Sequence, residues 1–535
     1  MEKQFNTAGP CEPDLHYMLD PLKRFDLEDV LSLIETRRYF VLHAPRQTGK
    51  TTSMLALMRY LNANGRFRAL YANIETAQTA RNDVASGAHA MVGALIEAAR
   101  FYLSESRGLE WLREAQAESG PNGMVAGWIR RWTMADPRPA VLLLDEVDAL
   151  VGDTLVSLLR QLRGGYPQRP AAFPQSIILC GVRDVRDYRI HTGAGEIITG
   201  GSAFNIKAKS LRLGNFTQKE SILLWQQHEE ATGQRIDPAV WDELWTDTCG
   251  QPWLVNALGL ECTWEDRELR RNRSLPITLE RYKAARERLI ENRSTHLDQL
   301  TDKLQEERVR RVITAILAGE DEGRWEEIPL DDQRYTEDLG LIVTRPEIAI
   351  ANRLYAEVIP RELIWTTQTR IAHDTIWYVD PEGRLDMPKL LTAFQQFFRE
   401  HSDAWIEGFS YREAGPQLLM QAFLQRIVNG GGRISREYAL GRRRTDLFIE
   451  WPIDKQQAFY GPVQKVVIEL KVIRKGDPMA VLPEALTQTS DYADRVGAGE
   501  AYLLIFDRRG ILSWDRRCWQ RYEHWRGRTI GIWGA

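Results

Sequence analysis

The sequence predicts an α/β protein: a parallel-sheet domain in the first half, a helical middle, and a smaller α/β domain at the C-terminus. Three observations predict it. Between residues 39 and 180, short apolar runs alternate with stretches of helical spacing, the pattern of a parallel sheet with crossover helices. From about Asn215 the pattern turns helical and charged. After Asp446, buried strands return. At 535 residues the chain has room for about three or four domains.

Taken in order, Tyr39 to Leu42 reads as a buried strand, and Met54, Leu57, Met58 and Leu61 follow at helical spacing. Phe67 to Ile74 reads as a second strand. Ala88 to Leu103 reads as a helix with Met91, Leu95 and Ala98 on one face. Val141 to Leu144 and Ser176 to Leu179 are short buried strands. Arg281 to Leu304 has little apolar content and predicts a solvated helical connector. Val309, Val312, Ile313, Ile316 and Leu317 mark an amphipathic helix ending at Gly319, and Tyr335 to Leu339 a second helix stopped by Gly340. Leu341 to Val343 and Ile348 to Ile350, around Arg345 and Pro346, read as a hairpin. Two helices followed by a β-wing predict a winged-helix module. Thr366 to Thr369 lacks periodicity and reads as a linker. Asp386 to Phe398 opens a helix with Pro388 in its first turn, and Gln417 to Ile427 reads as another long helix. The rest of the tail adds strands and one more helix. No internal repeat is visible.

Composition narrows the class. Hydrophobic residues at 43% and charged residues at 27% are the balance of an ordinary globular chain, which excludes fibrous and low-complexity readings. The longest apolar run near the middle, Ala140 to Leu144, is far short of the about 20 residues a spanning helix needs. Met1 to Asp14 is polar and has no secretory core, so the expectation is a cytoplasmic protein with no membrane contact. The five cysteines, Cys11, Cys180, Cys249, Cys262 and Cys518, are scattered without C-x-x-C spacing, which speaks against a disulfide framework or a zinc knuckle. The net charge of -4 conceals an asymmetry: residues 401–535 hold 20 Lys and Arg against 16 Asp and Glu. A mildly basic C-terminal domain permits nucleic-acid binding without requiring it.

The first chemical motif is Ala44-Pro45-Arg46-Gln47-Thr48-Gly49-Lys50-Thr51, a P-loop pattern with Ala in place of the usual first Gly, set between a strand and a helix. Such a loop surrounds phosphate oxygens with backbone N–H groups and a helix N-terminus. Lys50 would reach the β- and γ-phosphates and Thr51 would ligate Mg²⁺; Thr52 completes the cofactor-binding stretch. Asp145 and Glu146 directly follow the Val141 to Leu144 strand. The C-terminal end of a central strand is where α/β sheets bind ligands. Asp145 there would hold Mg²⁺ and Glu146 would orient the attacking water. Asp148 reads as a helix-start residue rather than a ligand. Arg183 follows the third strand, either as a sensor of the γ-phosphate or as a surface residue of a charged loop. Gly250-Gln251-Pro252 opens an apolar helix. His16 and Tyr17 either stack near a base or simply pack.

This set resembles the STAND and archaeal-ATPase branch of the AAA+ ATPases, over about residues 15–365. The resemblance implies ATP and Mg²⁺ as ligands, a nucleotide contact from Pro252, and a nucleotide-controlled switch rather than a ring motor, since no ring-type arginine finger is evident. It also allows a nucleotide-dependent homo-oligomer.

The second constellation lies in residues 413–492. Arg442, Arg443, Arg444 and Thr445 lead to Asp446 and the strand Leu447 to Ile449. Val466 to Val472 reads as a neighbouring strand with Glu469 and Lys471 on one face. Two carboxylates brought close can bind a hard divalent cation, which lowers the pKa of a bound water. Gln488 and Tyr492 sit four apart on one helix face. Glu413 precedes a helix upstream. The arginine run contacts phosphates or is a solvated face. Trp514, Trp519 and Trp525 in the Arg-rich tail read as core packing more than as a base-stacking platform.

Glu, Asp, Glu-x-Lys and Gln-x-x-x-Tyr in this order resemble the PD-(D/E)XK nucleases, especially the RecB-like branch, over about residues 385–520. The resemblance implies Mg²⁺ or Mn²⁺ held by Asp446 and Glu469, with Glu413 contributing and Glu437 competing for that helical-acid role. It also implies a catalytic Lys471, and substrate contacts from Gln488 and Tyr492. DNA is favoured over RNA because RecB-like relatives mostly cut DNA. The expected domains are a P-loop ATPase over 1–214, a helical lid over 215–304, a winged helix over 305–365, a linker over 366–384 and a nuclease-like domain over 385–535. The expected activity is an ATP-binding and hydrolysing switch coupled to a metal-dependent nuclease. The alternative is a STAND-like regulatory or scaffold ATPase with an inactive nuclease-like domain.

Overall fold

The computed structural model describes residues 2–183, 189–191, 197–199, 204–291, 302–318, 328–359, 378–408, 419–421, 423–424, 432–437, 446–454, 459, 461–473, 477, 479–509 and 513–535. The chain forms two compact units. The first comprises Met1–Ile236, Cys249–Ile277 and Asp338–Gly340, the second Asp237–Thr248, Thr278–Glu337 and Leu341–Ala535.

The first unit is built on a parallel sheet of β1 (Tyr39–His43), β2 (Arg68–Asn73), β3 (Ala140–Asp145), β4 (Ser176–Gly181) and β7 (Lys207–Arg212), in the order β2-β3-β4-β1-β7. A separate antiparallel pair, β5 (Arg189–His191) with β6 (Ile197–Thr199), lies between β4 and β7 in sequence. Alternate residues of the large sheet feed two cores. Tyr39, Val41, Leu142 and Leu144 pack with one set of helices, while Phe40, Leu42, Val141 and Leu143 pack with the other. Both faces are therefore covered, which is why these strands read as continuous apolar runs. The second of these sets includes α1 (Leu27–Glu35) and α2 (Lys50–Ala63); the first includes α3 (Val84–Leu103), α4 (Gly108–Ser119), α5 (Pro121–Met134) and α6 (Gly152–Gly165). Two further helices, α7 (Gln218–Thr232) and α8 (Pro252–Leu260), follow the sheet. A capping box of Thr217 and Glu220 starts α7, and Gln251 caps α8 with Pro252 at its first position.

In the second unit, the helix Ala239–Thr248 is tied to α9 (Leu279–Glu291) by a buried ion network. Asp247, fully buried, accepts from Tyr282 Oη at 2.9 Å, Arg286 Nε at 2.9 Å and Arg353 Nε at 2.6 Å. Arg286 also meets Glu357 at 2.5 Å. The expectation of a solvated connector from Arg281 is corrected here. Over residues 281 to 290, Tyr282, Ala285, Leu289 and Ile290 are buried and Arg286 is internally paired rather than solvated, while residues 292 to 301 lie outside the described residues. Two helices, α10 (Glu307–Ala318) and α11 (Leu330–Asp338), precede an antiparallel hairpin of β8 (Ile342–Val343) and β9 (Ala349–Ile350), the element order expected there. The expected linker Thr366 to Thr369 lies outside the described residues.

The helix α12 (Met387–Gly408) carries Pro388 in its first turn. It leads to a six-stranded sheet of β10 (Arg433–Glu437), β11 (Asp446–Pro452), β12 (Val463–Ile473), β13 (Glu500–Asp507), β14 (Trp519–Trp525) and β15 (Arg528–Gly534). The order is β10-β11-β12-β13-β15-β14. β12, β13 and β15 run parallel to one another, while β10/β11, β11/β12 and β14/β15 are antiparallel. The helix α13 (Leu482–Val496) packs through Leu482, Ala485, Leu486, Tyr492 and Ala493 on the core of Val467, Leu503, Ile505 and Ile532. Trp519 and Trp525 pack against the same core, as the sequence suggested.

Candidate functional site

The loop between β1 and α2 occupies the C-terminal edge of the large sheet. Gly49 takes φ +89°, a left-handed conformation a side chain resists, and it stands at the N-cap of α2 with no side-chain capping bond. The first N–H groups of α2 are thereby left for a ligand. Lys50, 6% exposed, folds across the loop and donates to the carbonyls of Ala44 and Pro45, both at 2.9 Å. Thr48 Oγ1 closes the loop from inside on Pro45 O at 2.8 Å. Ala44 N donates to Gly181 O at 3.2 Å, which fastens the loop to the end of β4.

Thr51 and Asp145, 94 positions apart in sequence, meet here. Thr51 Oγ1 donates to Asp145 Oδ2 at 2.8 Å. Asp145 is fully buried and also accepts from Tyr71 Oη at 2.9 Å and from Glu146 N at 3.0 Å. Burial beside this carboxylate pushes the Tyr71 phenol pKa strongly up, so Tyr71 stays a donor. A hydroxyl and a buried carboxylate at the end of a strand form an oxygen donor set suited to a hard divalent cation.

Glu146 turns the chain with φ +57°, uncommon for a residue with a side chain. Its carboxyl pKa is raised, first by burial and then by Asp148 and Asp145, with Lys50 and Arg46 opposing. Asp148 accepts from Val182 N at 3.1 Å and so braces the loop after β4. There is no room for a Cβ at Gly181, which would lie 2.7 Å from that carboxylate. Arg183, 7% exposed, forms an ion pair with Asp338 at 3.3 Å. It is therefore not a surface residue of a charged loop.

An open cleft adjoins the loop. Gln47, Gly49 and Thr52 of the loop, Pro252 of α8, and Asn6 and Arg24 of the N-terminal segment all line it. Pro252, placed there by the sequence only through resemblance, thus shares a cleft with the P-loop. Arg24 donates to Thr48 O at 3.3 Å and Gly214 O at 2.6 Å and lies 4.5 Å from the Phe216 ring centroid. Its burial lowers its pKa to about 10. Cys11 N donates to Thr52 Oγ1 at 3.1 Å. Tyr17 lines the cleft but packs on Phe5 and meets His228 Nδ1 at 3.2 Å. His16 instead accepts from Glu12 N at 2.9 Å.

Sequence reasoning missed Tyr71, Arg24 and Asp338. A polar-tipped residue inside the apolar β2 was a usable signal for Tyr71. The other two had none, because both act through contacts distant in sequence.

In the C-terminal sheet, β11 pairs with β12 as far as Leu447 opposite Ile468. The same register carried one residue on would set Asp446 opposite Glu469. Glu437 of β10 pairs with Asp446 in the adjoining ladder. Glu437 is consequently a strand residue and not the helical acid considered for it. Glu469 is fully buried, and Lys471 Nζ lies 2.5 Å from its Oε1. Lys471 also donates to Gln488 Oε1 at 2.7 Å, and Gln488 Nε2 donates to Glu484 Oε1 at 3.0 Å. Gln488 and Tyr492 share α13, but Tyr492 is only 3% exposed and packs in the core. A substrate-strand contact from its side chain does not fit that burial. Glu413 and Arg442 to Arg444 lie outside the described residues. Among the described residues, no group of three or more His, Cys, Asp or Glu side chains is placed to hold a metal ion.

No protein-family model matches the chain, and no curated protein matches it. Solved structures similar to it include the Walker-type ATPase PABY2304 of Pyrococcus abyssi, 14% identical over 66% of this chain and 99% of that one, TM-score 0.45. The ORC2 protein of Aeropyrum pernix, in ADPNP–ADP complexes, is 14% identical over 64% and 92%, TM-score 0.38. The RuvB Holliday junction branch migration motor of Thermotoga maritima is 13% identical over 63% and 95%, TM-score 0.32. Likenesses this distant carry no functional weight, and the site is read from its own geometry.

Proposed function

We propose that this chain is a P-loop ATPase of the AAA+ type that serves as an ATP-dependent switch on a metal-dependent nuclease, with DNA as the favoured substrate. The observation that carries the ATPase reading is the Thr51–Asp145 contact at 2.8 Å beside the P-loop. Bound Mg²⁺ would neutralise phosphate charge there. Thr51 and Asp145 would hold it, Lys50 would leave the Ala44 and Pro45 carbonyls for the phosphates, and Glu146 would orient the attacking water. Residues 44 to 52 cradle the phosphates, and Pro252 borders the rest of the nucleotide. Arg183 senses the γ-phosphate, in competition with Asp338.

The nuclease reading rests on the β11/β12 register, which extended by one residue would bring Asp446 opposite Glu469, with Lys471 at hydrogen-bonding distance from Glu469. Asp446 and Glu469 would hold Mg²⁺ or Mn²⁺, with Glu413 as a further ligand. Lys471 supplies positive charge to the phosphate, and Gln488 positions Lys471. The helices α10 and α11 with the β8/β9 hairpin would form a winged-helix module that follows the ATPase and precedes the nuclease in sequence, and the domain bounds 1–214, 215–304, 305–365 and 385–535 belong to this proposal.

A plasmid-nicking assay with Mg²⁺ or Mn²⁺, with and without ATP, tests the reading. Cleavage that disappears in Lys471→Ala supports the nuclease, and a changed ATP response in Lys50→Ala supports the coupling. ATP turnover without cleavage of any plasmid, linear, single-stranded or RNA substrate would sink the nuclease half and leave a regulatory ATPase.

A further inference from the structure

The six-stranded sheet ends on β14, whose one hydrogen-bonded neighbour among the described strands is β15. All seven residues of β14 are in register with β15, so among the described residues its other backbone edge pairs with no strand. The strand reads Trp519-Gln520-Arg521-Tyr522-Glu523-His524-Trp525. It is close to a palindrome about Tyr522: Trp519 mirrors Trp525, Gln520 mirrors His524, and Arg521 mirrors Glu523 with opposite charge.

We propose that a second copy of this chain pairs antiparallel along β14, with Tyr522 on the two-fold axis, so that two six-stranded sheets become one. A two-fold interface must be self-complementary. In this register Arg521 of each copy stands opposite Glu523 of the other, and the pair occurs twice. Directly opposed residues of antiparallel strands share a face, so both ion pairs and both Trp519/Trp525 pairs lie on the same side of the joined sheet. Shifting the register by two residues would set Arg521 opposite either Trp525 or the other copy's Arg521 and lose both ion pairs, which fixes the alignment.

The edge is also presented stiffly and accessibly. Trp525 Nε1 donates to Thr487 Oγ1 at 3.2 Å, and Arg526 meets Asp491 at 2.8 Å, which fasten the strand to α13. Tyr522, at the proposed axis, is 56% exposed although its ring touches Trp533. Arg521 and Glu523 are partly exposed and 3.4 Å apart within the strand, free to exchange that contact for the two cross-strand ones. The strand contains no proline or lysine, two residues that commonly block edge pairing. The proposal is independent of the nucleotide and nuclease readings.

Sedimentation velocity of the full chain without nucleotide tests it. The wild type is expected to be a dimer at micromolar concentration. Arg521→Glu puts like charges at both pairs, as does Glu523→Arg, and each should raise the dimer dissociation constant at least about tenfold. An equimolar mixture of the two variants restores opposite charges at both pairs and should dimerise again, which also shows that each variant is folded. The doubly exchanged chain should dimerise alone. A monomeric wild type, a dimer that survives both single substitutions, or a mixture that stays monomeric would each overturn the proposal.

Discussion

Replacing Thr51 by Val removes one hydroxyl from a place where the structure gives it one partner, Asp145. A hydrogen bond to a charged group contributes about 1.5–3 kcal/mol. Asp145 would retain the Tyr71 and Glu146 donors, so the loss belongs at the low end, about 1.5 kcal/mol. Thermal unfolding of the first unit should shift down accordingly. The larger effect is on nucleotide. In the wild type, Mg²⁺ should tighten ATP binding relative to binding in EDTA. In Thr51→Val that gain should shrink by at least about tenfold, the equivalent of about 1.4 kcal/mol. Thr51→Ser keeps the hydroxyl and should behave as wild type in both measurements. Isothermal titration with and without Mg²⁺ reads the effect. A Thr51→Val protein with the full wild-type Mg²⁺ gain would show that the hydroxyl is not a ligand.

Asp247→Asn leaves the buried Arg286 and the half-exposed Arg353 facing a neutral amide. Breaking such a buried network costs about 3–5 kcal/mol, and because Glu357 and Glu243 remain as partners the expected loss in denaturant unfolding is about 3 kcal/mol. Lys471→Ala should abolish metal-dependent nicking while leaving ATP turnover unchanged, read from parallel assays of one preparation. Burial holds the His228 pKa below its ordinary value, so the unfolded chain takes up a proton first as the pH falls. The stability this provides is complete above about pH 6.5 and is lost as the pH drops through the lower folded value. The melting temperature of the wild type should therefore fall on acidification more steeply than that of His228→Gln.

The P-loop and the Asp145-Glu146 pair were legible because their chemistry is local: a strand, a loop with Gly49 and Lys50, then a helix. The buried strands were legible because both faces of the sheet are covered. β7 was missed because four of the six residues of Lys207–Arg212 are polar, as the edge strand of such a sheet can be. The helices α4 and α5 were not picked out between β2 and β3, although Trp111, Trp128 and Trp132 bury there. The stretch from Arg281 misled because its charges looked solvated, and only the fold shows Asp247 and Glu357 against Arg286. At the C-terminal site the order of Asp446, Glu469 and Lys471 was readable. The pairing of β11 with β12, the strand position of Glu437 and the burial of Tyr492 were not, because each depends on strand and helix packing.

ATP is expected to bind in the cleft beside Lys50. Equilibrium titration of the full chain with Mg·ATP, wild type beside Lys50→Ala, tests it most directly. The account predicts saturable binding by the wild type, weakened by at least about tenfold in a Lys50→Ala chain that melts as a folded protein. Equal affinity in the two proteins, or no binding to either, would contradict it.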